Sequence, residues 1–248
     1  MSGHSKWATI KHKKGAADKA RGKLFAKLSR QIEVAAKNGG DIESNPTLRA
    51  AVQKAKAARM TNDAIDRAVK RGTGESDGGT YESIMYEGYA PGGVALLIDV
   101  LTDNRNRTGS EIRGVFTKLG GSMAEPGAVS WQFARTGVIL TGEGIDEDEL
   151  MMAALEAGAD DIVAEGAGFK ILTEPSDVYD VKTALDGAGI EIISADAPLL
   201  SDNLVPITVS SEAKAVLRIL EALEDNDDVQ DVFSNFDISD ELMEEATA

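Results

Sequence analysis

Residues 72–80 read GTGESDGGT, a polar, glycine-rich stretch with no side chain to bury, and both the hydrophobic period and the charge of the chain change across it. Before it, apolar residues recur at helical spacing; beyond it, short alternating runs are separated by glycine turns. One core cannot serve both patterns. Residues 1–76 hold 17 Lys+Arg against 7 Asp+Glu, a net of +10, whereas residues 77–248 hold 9 against 35, a net of −26. The overall charge of −16 therefore conceals a basic module of the kind that neutralises phosphates.

The first third reads as helices. From Asp18 to Lys37, Leu24, Leu28, Ile32 and Ala35 recur at helical spacing, and Lys23, Lys27, Arg30 and Lys37 fall on the opposite side. Gly39-Gly40 stops this helix. Asn45-Pro46 supplies an N-cap and a first-position proline for a second helix carrying Leu48, Val52 and Ala55. Thr61 or Asn62 caps a third, with Ile65, Ala68 and Val69 as its packing face and Gly72 at its end. Residues 1–76 are thus expected to form a small basic helical bundle.

Beyond the linker, strands at Tyr81–Tyr89 and Val94–Leu101 flank the turn APGG, and a helix carrying Ile112, Val115, Phe116 and Leu119 ends at Gly120-Gly121. A strand is expected near Val129–Phe133. The next elements run strand (Val138–Thr141), helix (Asp146–Ala157), strand (Ile162–Glu165), strand (Phe169–Thr173), helix (Pro175–Ala188), strand (Ile190–Ser194). That is the βαββαβ order of a split-βαβ, ferredoxin-like unit. A last helix, Ser211–Leu223, and a strand, Val229–Phe236, would supply what the ββα near residues 81–119 lacks. The expected fold class is α+β: a helical bundle followed by two ferredoxin-like α/β domains, the third (135–202) inserted in the second (81–134 plus 203–240).

Enzyme chemistry finds little support. The GEG at Gly142–Gly144 and the GAG at Gly166–Gly168 lack the third glycine of a dinucleotide fingerprint, and no P-loop occurs. The acidic runs DEDE (Asp146–Glu149) and EDNDD (Glu224–Asp228) lack the glycine and terminal glutamate of a calcium loop; they read as a helix N-terminus and a solvated loop. His4 and His12, without cysteine or HExxH, make a poor metal site. No catalytic residue, metal or cofactor is expected. The longest apolar run, around Val94–Ile98, is far short of the roughly 20 residues of a membrane helix. The absence of cysteine fits a reducing compartment, so a cytoplasmic protein is expected, and it is expected to be a monomer.

Two segments stand out. In TDNRNRTGSE (residues 102–111), Thr108 with Glu111 matches a capping box, but neither capping nor core packing asks for both Arg105 and Arg107. An internal salt bridge and a contact of Asp103, Asn104, Arg105, Asn106 and Arg107 with a phosphate or an acidic partner are equally compatible. The opening MSGHSKWATIKHKKG sets Trp7 among Lys6, Lys11, Lys13 and Lys14. With no apolar run behind it, it does not read as a secretory signal and is expected to belong to the mature chain. The indole either anchors this segment on the bundle or stacks on an unpaired base while the lysines hold phosphates.

The runs GHSKWATIKHKKGAADKARGKLFAKL, NPTLRAAVQKAKAARMTNDAIDRAVKRGTGE and YEGYAPGGVALLIDVLTDNRNRT, spanning residues 3–108, resemble the YebC family, whose mitochondrial members are translational activators of cytochrome c oxidase. Ser2, Thr9 and Ser110–Gly114 depart from its usual wording. The resemblance implies three domains, one inserted in another. It also implies either a transcriptional regulator that binds DNA or a ribosome-associated factor that helps translation through proline-rich stretches. In the second case Gly3, His4, Ser5, Lys6, Trp7, Lys11, His12, Lys13 and Lys14, extended by Lys23, Lys27 and Arg30, would face rRNA and tRNA of the large ribosomal subunit. The acidic domains would face ribosomal protein or solvent.

Replacing Trp7 by alanine separates the two roles of the indole. A stacking ring predicts weaker RNA binding with an unchanged circular-dichroism melt; an anchor predicts a lower melting temperature of the bundle.

Overall fold

The computed structural model describes residues 18–247. Helices α1 (Asp18–Ala36), α2 (Pro46–Ala57) and α3 (Asn62–Gly72) bury Leu28, Ile32, Leu48, Val52, Ile65 and Ala68 in one core, so the periodic apolar faces pack as their spacing predicts. Leu24 does not join them. It is 43% exposed, because the stripe continues toward the N-terminus through Phe25, three residues before Leu28. Asn45 caps α2 through Oδ1, which accepts from the Leu48 N–H at 3.1 Å, while its Nδ2 donates to the Ala35 and Gly39 carbonyls that end α1. Gly72 lets α3 touch the backbone of α1: a Cβ there would lie 2.3 Å from the Glu33 carbonyl oxygen. The buried Glu33 carboxylate accepts from Arg71 at 2.8 Å and from the Gly79 N–H at 2.6 Å. The segment read as a plain linker is therefore tied to the bundle as far as Gly79.

Strands β1 (Glu82–Tyr89) and β2 (Ala95–Thr102) form a hairpin around Pro91–Gly93, with Gly92 and Gly93 both at φ 78°. α4 (Arg105–Leu119) follows and stops at Gly120, whose φ of 83° is the left-handed conformation of a helix terminus. A short strand that the sequence did not announce, β3 (Ser122–Ala124), then pairs with β1. The strand expected at 129–133 is instead a turn (Ser130–Gln132) leading into β4 (Phe133–Arg135). The cause is Glu87. Its buried carboxylate accepts from the backbone N–H groups of Gly127, Val129 and Ser130 at 2.7, 2.7 and 3.0 Å, which removes those donors from any strand ladder.

Trp131–Leu204 forms a compact unit of its own. Within it are β5 (Gly137–Thr141), α5 (Glu147–Glu156), β6 (Asp161–Glu165), β7 (Gly168–Thr173), α6 (Val178–Gly187), β8 (Ile192–Asp196) and β9 (Leu199–Ser201). The four main strands lie antiparallel in the order β6-β7-β5-β8, the split-βαβ arrangement that the element order predicts. Ile139, Leu150, Ala154, Ile171, Val181 and Leu185 fill the space between sheet and helices. β4 and β9 pair antiparallel as the stem of the insertion. α6 starts three residues later than the pattern suggests, since residues 174–177 form a turn closed by the Asp177 N–H on the Glu174 carbonyl at 3.0 Å.

The chain re-enters the second domain at β10 (Val205–Ile207) and continues through α7 (Ser210–Glu224), β11 (Val229–Ser234), β12 (Phe236–Ile238) and α8 (Asp240–Thr247). β11 pairs antiparallel with β2, giving the order β11-β2-β1-β3, with a hairpin where a split-βαβ unit has its first crossover. Leu96, Ile98 and Val100 pack beneath Ile112 and Phe116 of α4 and Val216, Leu220 and Leu223 of α7. The strand expected as 229–236 breaks at Asn235. Its Oδ1 accepts from the Ala95 N–H at 2.7 Å and its carbonyl from Val205 at 2.8 Å, so the chain passes from β2 to a parallel pairing with β10.

Between α2 and α3, Arg59 has φ 61°. The Met60 N–H bonds the Ala55 carbonyl at 3.0 Å and the Arg59 N–H bonds Lys56 at 2.9 Å, the 6→1 closure whose left-handed position normally holds glycine. Arg59→Gly should raise the stability of the bundle by about 0.5–1 kcal/mol, read as a higher urea midpoint by far-UV circular dichroism.

Candidate nucleic-acid interface

Lys23, Lys27 and Arg30 stand at i, i+4 and i+7, so they form one stripe on α1, away from Leu28 and Ile32. The stripe meets the end of α7 and the turn that follows. A helix C-terminus presents carbonyls without intrahelical donors and the negative end of the helix dipole. Lys27 Nζ donates to the Glu224 carbonyl at 2.7 Å and Lys23 Nζ to the Asp225 carbonyl at 3.1 Å. Lys23 also donates to Asp225 Oδ1 at 2.6 Å, and Asp227 Oδ1 lies 4.0 Å from it. Arg30 Nη1 reaches the Asp227 carbonyl at 2.8 Å and Asp228 Oδ1 at 2.9 Å, and its guanidinium lies 5.4 Å from the centre of the Tyr81 ring. The hydrogen bond to Asp225 raises Lys23 above the ordinary lysine range.

Asp228 organises the other side. Its Oδ2 accepts from Arg107 Nη2 and Thr108 Oγ1, each at 2.6 Å, and lies 3.1 Å from Thr102 Oγ1. The side chain is buried. Burial alone would push its carboxyl up, but the Thr108 and Arg107 hydrogen bonds, the Arg107 charge and Thr102 hold it below the usual carboxylate range. Asn226 braces the turn, donating to Glu111 Oε2 at 2.8 Å and accepting from the Asp228 N–H at 2.9 Å. A polar cleft of about 480 Å³ opens here, lined by Lys23, Arg30, Arg107, Asp103, Glu111 and the 225–228 turn.

Of the residues singled out in the sequence, Gly3, His4, Ser5, Lys6, Trp7, Lys11, His12, Lys13 and Lys14 lie outside the described residues. Lys23, Lys27 and Arg30 come together, but on the protein's own acidic turn. Asp103 and Arg107 pair at 2.9 Å, which adds to the Asp228 contact and makes the internal salt bridge the observed role of Arg107. Arg105 and Asn106 are exposed. The capping box proposed at Thr108 and Glu111 is not formed. Asn104 caps α4 instead, accepting from the Arg107 N–H at 3.1 Å, because the helix begins one turn earlier and carries Thr108 inward to Asp228. The run EDNDD is likewise more than a solvated loop, since its last residue is buried in this network. Sequence reading missed Asp228. The available signal was an acidic run directly after a helix, opposite in sign to the α1 stripe. Among the described residues no His, Cys, Asp or Glu cluster could hold a metal ion, and no helix is long and apolar enough to cross a membrane.

The chain matches two family models, the TACO1/YebC protein N-terminal domain over residues 5–75 and the TACO1/YebC second and third domain over residues 81–236. It is 56% identical over 251 residues to a protein of Halothermothrix orenii named "Probable transcriptional regulatory protein", covering 100% of this chain and 99% of that one. Proteins so named from Rubrobacter xylanophilus and Geobacter sulfurreducens are 55% and 52% identical, over 99% and 98% of this chain and 99% of each relative. The crystal structure of a conserved hypothetical protein from Aquifex aeolicus superposes with a TM-score of 0.78 at 44% identity, covering 89% of this chain and 91% of that one.

Asp228 and Glu87 are both held below the ordinary carboxylate range, Glu87 by three backbone N–H groups that outweigh its burial. Groups depressed in the folded state contribute stability that is full above the unfolded value, about pH 4, and is lost as pH falls through the folded value. Asp228→Asn should therefore lower stability at pH 7 by about 2 kcal/mol and flatten the acid limb of a stability–pH profile below about pH 4.

Proposed function

Because the chain belongs to the TACO1/YebC family, we propose that it is a non-enzymatic regulator of gene expression that acts by binding RNA on the large ribosomal subunit through its basic N-terminal module. In this reading it relieves stalls at proline-rich stretches. The observation that carries the nucleic-acid part is charge segregation: a net of +10 in residues 1–76 and −26 in the remainder. Such a chain is drawn to phosphate through its basic module, while its acidic domains repel bulk nucleic acid. Residues 3–14, with their lysines around Trp7, would enter an RNA crevice.

The names of the relatives favour a second reading, a DNA-binding transcriptional regulator. It would need a helix whose side chains read base edges in the major groove. α2 is the candidate, but Lys54 already lies 3.5 Å from Asp231 Oδ2, which leaves mainly Lys56, and Arg59 just past the helix end, to face a duplex. Two cations suit phosphates better than bases where the one amide of the helix, Gln53, has its Oε1 buried, and this favours RNA on a shaped surface over promoter readout. The non-enzymatic part is supported by the buried carboxylates. Asp228 and Glu87 are shifted down, away from the range of a general acid, and are saturated by structural donors.

Lys13→Glu combined with Lys14→Glu should reduce co-sedimentation with ribosomes by about tenfold or more at near-physiological salt and abolish rescue of a proline-run translation reporter. Unchanged values would remove the site from residues 3–14. Selective retention on promoter DNA at the same salt would replace the ribosomal reading by the transcriptional one.

A further inference from the structure

The α1 stripe poses a problem for any account in which it touches nucleic acid. Lys23 and Arg30 keep only 35% and 24% of their side-chain surface, and Lys23 Nζ and Arg30 Nη1 donate to the turn after α7. The turn meets the stripe as a strand of phosphates would. Three cations spread over about 10 Å of helix, the axial rise of about three nucleotides of one strand, are matched by a row of backbone carbonyls interleaved with the carboxylates of Asp225 and Asp228.

From this we infer that the acidic turn 224–228 occupies the polyanion-binding row of α1, and that RNA binding displaces it and parts the helical bundle from the α/β domain. This deepens the nucleic-acid reading above and rests on it. Three observations carry it. First, the bundle core and the α/β core share no residue, and ion pairs, hydrogen bonds and the Arg30–Tyr81 ring contact cross the seam between them. Lys23 pairs with Asp225, which keeps 74% of its side-chain surface, so salt screens this part of the seam and a denser anion can compete for it. Second, opening strands no buried charge. Asp228 gives Oδ1 to Arg30 but keeps Oδ2 on Arg107, Thr102 and Thr108, all within the α/β domain. Third, only two residues separate the last linker contact with the bundle, at Gly79, from the start of β1 at Glu82, so a change of backbone angles there suffices to part the two bodies.

The covered stripe imposes a threshold. A weak or single anion gains too little from one cation to lift the turn, whereas an RNA backbone engages several together, and its apparent affinity falls only by the fraction of molecules that are open.

Asp225 and Asp227 keep 74% and 72% of their side-chain surface, so the double variant Asp225→Asn with Asp227→Asn should fold normally. Its affinity for a short single-stranded RNA of mixed sequence should rise about three- to tenfold over the parent. Glu244→Gln with Glu245→Gln removes the same charge outside the turn and should leave affinity within about twofold. The chain has no cysteine, so fluorophores on Asn38→Cys in the bundle and Thr117→Cys on α4 report the separation directly; it should increase at saturating RNA. Equal affinities for parent and turn variant, an equal gain in the control, or a constant separation would overturn the displacement while leaving the RNA reading intact. Failure of both parent and turn variant to bind RNA would overturn the two together.

Discussion

The carboxylate of Asp228 is asked to do two things at once, and its two oxygens divide the work. Burying a charged carboxylate costs several kcal/mol unless donors replace the lost water. Arg107, Thr108 and Thr102 meet that need at Oδ2, which fixes the turn after α7 rigidly on the α4 end of the α/β domain. Only then can Oδ1 and the neighbouring carbonyls be offered outward in a set geometry to Arg30, Lys27 and Lys23. Without this anchoring the end of α7 would fray, and the cations of α1 would face water.

Around that point the bundle and the α/β domain keep separate hydrophobic cores. The bundle closes over Leu28, Ile32, Leu48 and Ile65, and the α/β domain over Ile98, Phe116, Val216 and Leu220. Apolar burial at about 25 cal/mol per Å² stabilises each body from within. The contacts of Lys23, Lys27, Arg30 and Lys54 across to the α/β domain are polar and directional. Glu33 shows the contrasting case inside the bundle. It is buried and paired with Arg71 and the Gly79 N–H, and it holds the departing chain in place instead of offering a surface.

The parts of this architecture that were legible in the sequence are those governed by neighbours in the chain. Asn45-Pro46 starts a helix because cap and proline act within four residues, and the βαββαβ order emerges because each element carries its own period. The basic stripe of α1 was also legible, but its partner was not. Asp228 lies far along the chain from Arg30, and nothing local distinguishes it from the solvated acids beside it. The same distance explains the misplaced cap. Thr108 and Glu111 have the right spacing, yet Asn104 wins because a buried carboxylate from another element draws Thr108 into the helix interior face. Glu87 erased an expected strand for a similar reason, by claiming the N–H groups of a loop some forty residues later.

The pairing of β11 with β2 has a temporal meaning. β2 waits for its neighbour until the inserted Trp131–Leu204 unit and α7 have both been made, so this sheet closes a long loop and is completed late. Synthesis from the N-terminus therefore produces the lysine- and arginine-rich helices well before the aspartates that will cover them. Each newly made molecule spends an interval as a bare polycation beside the RNA of the ribosome that is making it.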